Sequence, residues 1–145
     1  MPAGRNQVAY DDINYDALTF KADNSTITFD ATQPNGIPAA VTGRACTISA
    51  ADTVALAADA DAIIGKLIKV ESTGGQVWAT VQHKGMATFG GGTAAALNLG
   101  QGVVGALLAA AKGYVRAAVA AESPKMHHKL INAADTAAVV VELGG

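Results

Sequence analysis

Three histidines, His83, His127 and His128, are the side chains best suited to hold a metal or carry a proton near neutral pH. His127 and His128 are neighbours, and on a strand neighbours point to opposite faces, so one metal cannot easily take both. His83 could join either of them, yet no carboxylate follows at ligand spacing. The stretch Lys125-Met-His-His-Lys129 therefore reads as a basic polar loop, and no metal site is expected. Asp59 and Asp61 stand two apart and flank one surface turn, whereas paired acid and base groups need different environments across a cleft. Asp11-Asp12 reads the same way. Cys46, the single cysteine, lies in a run that reads as strand, where a small buried hydrophobe is the expected role. No Gly-x-Ser-x-Gly elbow is present. Gly90-Gly91-Gly92 and Gly100-Gln101-Gly102 fit neither phosphate-binding nor dinucleotide-binding spacing, so they read as turns. No catalytic residue, cofactor or enzyme activity is expected. Trp78, the sole tryptophan, faces away from the Val/Ala face of its segment and is a candidate either for a partner contact or for capping a core edge.

The elements that would carry these side chains have period two. Leu18, Phe20 and Ala22 share one face, and Ile27, Phe29 and Ala31 another; a polar Asp23-Asn24-Ser25 turn between them predicts a hairpin over 16–32. Pro34-Asn35-Gly36 predicts a turn. A strand is expected from Ala39 to Ile48 and another over Thr53–Leu56, ending in the turn Ala58–Asp61. Lys66–Glu71 and Gln76–His83 read as strands joined at Ser72–Gly75. Lys84-Gly85 reads as a break, after which Met86–Phe89 takes a new direction. Val103-Val104 reads as strand, but Leu107–Lys112, rich in Ala and followed by Gly113, reads as helix. Tyr114–Val119, Lys129–Ile131 and Thr136–Leu143 read as strands, and Glu122–Lys125 as a loop. The expected fold is mainly β: a small antiparallel β-sandwich or barrel with an N-terminal arm or hairpin and at most one or two short helices. Residues 1–15 read as the arm and 16–145 as one β domain, with a sub-boundary near 35–50 and the hairpin 16–32 attached to the core. Tyr10, Ile13 and Tyr15 are the large side chains available to anchor the arm.

Composition narrows the role further. Of 145 residues, 50% are apolar, much of that alanine, 5% are aromatic and 15% charged. Globular domains average about 25% charged residues, and so sparse a charge suits a chain that hides part of its surface in an assembly. The net charge of −2 gives no case for nucleic acid. It is unevenly spread: residues up to Asp61 carry −5 and those from Ala62 onward +3. An acidic part and a basic part could meet between copies or within one fold. The lone Cys46 fits a reducing cytosol. Met1–Asp12 has no apolar signal-peptide core, and Val103–Ala111 is too short to span a bilayer, so no membrane role is expected.

From Thr53 onward the chain runs TVALAADADAIIGKLIKVES, QVWATVQHKGMATF, LNLGQGVVGAL, GYVRAAVAAE and KLINAADTAAVVVEL. This cadence of turns and strands resembles the head decoration, or capsid cement, proteins of tailed bacteriophages. The similar features are the polar turn before IIGKL, the VQHKG strand end, the GQGVVG turn and the Val-rich closing strand after AAD. The resemblance covers roughly the last 90 residues and implies a virion structural role, on the outer surface of an expanded capsid, made in the host cytoplasm without a signal peptide. The implied partners are the major capsid protein and the chain itself, as a trimer in preference to a dimer. Residues 1–50 do not match the pattern and are expected to grip the capsid or a neighbouring copy, with Arg5, Tyr10, Ile13 and Tyr15 as candidate contacts. The alternative is a non-catalytic carbohydrate- or surface-binding module of a fibre or envelope, disfavoured because Trp78 and three tyrosines make a poor stacking platform.

Overall fold

The computed structural model describes residues 16–92, 100–119, 121–122, 128–132 and 137–144. The chain is mainly β, a five-stranded mixed barrel with further strands attached and one short 3-10 turn at Ala39–Val41. The strands are β1 (Asp16–Ala22), β2 (Ala45–Ala50), β3 (Thr53–Leu56), β4 (Gly65–Thr73), β5 (Gln76–Phe89), β6 (Val103–Leu108), β7 (Ala111–Ala117), β8 (Lys129–Asn132) and β9 (Val139–Leu143). Among the described residues no helix is long and apolar enough to cross a membrane.

Five strands close the barrel in the order β1-β3-β2-β4-β5, with β5 returning to β1. Four of the ladders are antiparallel; β1 and β3 run parallel and meet at two residue pairs, Lys21 with Thr53 and Ala22 with Val54. Alternation explains the lining. Ala22, Cys46, Val54, Leu67, Val70, Ala79 and Val81 line the barrel core; a bulge between Leu67 and Lys69 shifts the alternation so that Val70 also lies inside, and Ala45, on the opposite face of β2 from Cys46, packs into a second core. Each fully buried Val, Leu or Ile contributes roughly 1.5–3 kcal/mol.

The fourteen residues of β5 serve two sheets. Its first half pairs with β1 and β4; from Gly85 to Phe89 it pairs with β9, which pairs in turn with β8. Gly85 has φ +91° and lies at the change of partner. The Gln82 side-chain amide donates to the Lys84 and Met86 carbonyls on either side of it. The expected break at Lys84-Gly85 thus lies inside one continuous strand, at the point where pairing passes from β1 and β4 to β9. A second core forms there from Phe89, Val103, Val115, Leu130, Val139 and Val141. The β6–β7 hairpin covers it and is tied to the barrel by main-chain bonds from Gly105 to Asp61 and from Gly113 to Ala57.

Three expectations are corrected. Residues 16–32 do not form a hairpin. The Asp23 carboxylate collects the amides of Ser25, Thr26 and Ile27, which a second strand would have offered to β1. Ile27 then plugs the barrel core, and the Thr26 hydroxyl accepts from the Leu56 amide. Residues 39–44 are not strand: Pro38 and Gly43, at φ +71°, bracket the 3-10 turn, and β2 starts at Ala45. Leu107–Lys112 is not a helix but the tip of the β6–β7 hairpin. Alanine's helix preference is overridden there by the cross-strand pairing of Leu108 with Ala111. The strands over Thr53–Leu56, Lys66–Glu71, Gln76–His83 and Lys129–Ile131 stand as read, and the Ser72–Gly75 turn narrows to Gly74-Gly75.

Candidate binding surface

The brief contact between β1 and β3 leaves a seam in the barrel. Leu18 shares the inward face of β1 with Ala22, and Ile48 shares that of β2 with Cys46. Both would be core residues in a sealed barrel, yet Leu18 is 49% and Ile48 47% exposed. With Phe20, Ile63, Ile64, His83 and His128 they line one cleft of about 340 Å³. Its walls are apolar apart from the two imidazoles.

Those imidazoles are placed differently. His128 is buried, with Nε2 2.7 Å from the Ile63 carbonyl and Nδ1 accepting from the Gly144 amide at 2.9 Å. A main-chain amide can only donate, so Nδ1 carries the lone pair and Nε2 the proton. His83 lies at the rim, its Nε2 3.1 Å from the Asp16 carboxylate but outside hydrogen-bond alignment. The structure thus brings His83 and His128 to one cleft, as the sequence allowed. Among the described residues, however, no three His, Cys, Asp or Glu side chains gather to hold a metal. His127 lies outside the described residues, as do Arg5, Tyr10, Ile13 and Tyr15.

Cys46 is buried in the barrel core, where burial and then the charge of Asp23 push its thiol far above the ordinary range. It stays protonated and is no nucleophile. Asp59 and Asp61 do share a turn, but each is engaged. Asp61 accepts from the Ala58 amide, and Asp59 pairs with the buried Arg116 at 2.9 Å. Arg116 also holds Glu122 at 2.6 Å. The Glu122 and then the Asp59 hydrogen bonds raise the guanidinium pKa further. Sequence reasoning passed over this cluster because Arg116 and Asp59 are 57 positions apart; the one charge within Tyr114–Val119 was the available signal. Trp78 is half-buried on β5, opposite Lys21 and Glu71 on its two neighbouring strands.

Apolar surface continues elsewhere. Phe29, Val119 and Leu108, at the β6–β7 tip, are exposed large hydrophobics like Leu18 and Ile48. Compared with known proteins, the chain matches no family model, no curated protein and no solved structure.

Proposed function

We propose that the protein is a virion structural protein that binds the outer surface of a phage capsid and stabilises the lattice of major capsid proteins. The observation that carries this reading is the exposure of Leu18, Phe29, Ile48, Leu108 and Val119 on a small, charge-poor chain. Large apolar side chains left in water gain free energy when a small protein is covered by its neighbours. The cadence of the chain from Thr53 onward supports the same role. A lattice presents many identical sites, so each contact can be modest and still hold by multivalency.

The test is co-sedimentation of the purified protein with expanded capsids of the phage that encodes it, and separately with free major capsid protein. Saturable binding to capsids, together with a higher temperature of capsid disruption, is the expected result. Association with free subunits alone, or with neither, would overturn it.

A further inference from the structure

We propose that copies of this chain associate head to tail, the β6–β7 hairpin tip of one copy seated in the seam cleft of the next. The proposal deepens the structural reading by naming the self-partner and its contact.

The tip is unusual for a solvent-facing turn. From Leu107 to Ala111 it is entirely apolar, and Leu108 is 39% exposed. Ala109 and Ala110 have φ +48° and +71°, so both central residues of a two-residue turn sit in the left-handed region. Asn-Gly is the favoured choice for such a turn, and alanine carries a Cβ penalty there. Alanine at both positions keeps the tip small and free of polar groups, which a dry socket requires and a solvated turn does not.

The socket is the seam cleft. Leu18 and Ile48, inward-facing residues that the barrel leaves exposed, line it beside the buried Ile63 and His128, and its volume admits a leucine side chain with small neighbours. No tip residue lines the cleft, so knob and socket are separate patches. Unlike patches suit a heterologous, head-to-tail contact, which gives a ring of defined size when the rotation between copies closes. The rims are complementary in charge. Lys112 is exposed at the foot of the tip, and the half-exposed Asp16 stands beside His83 at the cleft. This pairing also gives the acidic and basic parts of the chain a meeting point between copies.

Light scattering over a concentration series, in the absence of capsids, tests it directly. Wild type is expected to form one defined oligomer. Leu108→Asp, at an exposed tip, should keep the circular dichroism of the wild type and raise the dissociation midpoint at least tenfold. The double variant Leu108→Cys/Ile48→Cys should form intermolecular disulfides that close at the oligomer size on a non-reducing gel, while each single variant stays uncross-linked. A wild-type monomer at every concentration would overturn the proposal, as would self-cross-linking of either single variant or an oligomer untouched by Leu108→Asp. Loss of the oligomer on deletion of residues 1–15, with Leu108→Asp still assembled, would assign the contact to that segment instead. Capsid binding by a monomeric Leu108→Asp would leave the capsid reading standing, and capsid binding lost without change in oligomer would sink the head-to-tail contact alone.

Discussion

The Gly144 amide donates to Nδ1 of His128 at 2.9 Å, fastening the end of β9 to the residue just before β8. Through Nε2 the same ring reaches the Ile63 carbonyl in the β3–β4 connection. One imidazole therefore joins the β8–β9 leaf to the barrel, and it does so in the neutral form. His128→Phe would fill the space but leave the Ile63 carbonyl without this donor and the Gly144 amide without this acceptor. Losing the partner of a buried polar group costs about 1–3 kcal/mol. We expect a loss of that size in urea denaturation, with the slope of the transition unchanged.

Asp23 predicts the acid limb of stability. Burial opposes its charge, but the Ile27 and Thr26 amides and the Thr26 and Ser25 hydroxyls outweigh it and hold its pKa below the ordinary value. A carboxylate depressed in the folded state contributes stability that is fully present above its unfolded value of 3.8 and lost as pH falls through the lower folded value. Asp23→Ala should cost about 1–3 kcal/mol at neutral pH. It should also flatten the fall in melting temperature below pH 4. An acid limb unchanged in Asp23→Ala would show that other carboxylates govern it.

How far the sequence disclosed the molecule depended on whether the deciding contact was local. Period-two alternation located β5, where Ala79 and Val81 are buried and Trp78 and Thr80 between them are not. It failed at Thr26–Ala31, where the pattern is equally good but Asp23 takes the amides. It failed again at Leu107–Lys112, where alanine-rich composition favours helix and a cross-strand ladder decides otherwise. The cleft was illegible for a related reason. Leu18 shares a face with Phe20 and Ala22 by its spacing, and Ile48 only closes an expected strand; their exposure goes with β1 and β3 meeting at two pairs only, a fact of topology.

Arg116 makes the third prediction. Its side chain is 7% exposed and Glu122's 12%, with oxygen and nitrogen 2.6 Å apart. Arg116→Ala would take the guanidinium from the nearly buried Glu122 carboxylate while leaving it the Val119 amide, and removing one partner of a buried pair costs about 3–5 kcal/mol. Adding Glu122→Gln should recover part of that loss, because the stranded charge disappears. Arg116→Lys should not substitute fully: the guanidinium serves Asp59, Glu122 and the Ala117 carbonyl at once from a planar fork. Thermal unfolding of the three variants checks the order, and equal stability of Arg116→Ala and the double variant would remove the stranded-charge explanation.

The hairpin turn separates stability from association. Ala109 and Ala110 both hold positive φ between the paired residues Leu108 and Ala111. Ala109→Asn/Ala110→Gly supplies the residues such a turn favours and should raise stability by ~1 kcal/mol. If the turn were an ordinary solvent-facing loop, that gain would come without further consequence. If the tip is buried against a second copy, the asparagine places a polar group in an apolar cleft. Stability of the dissociated chain should then rise while the dissociation midpoint rises as well. Denaturant titration at low protein concentration reads the first quantity and light scattering the second. A variant that is both more stable and equally or more tightly associated would argue that the tip stays in water.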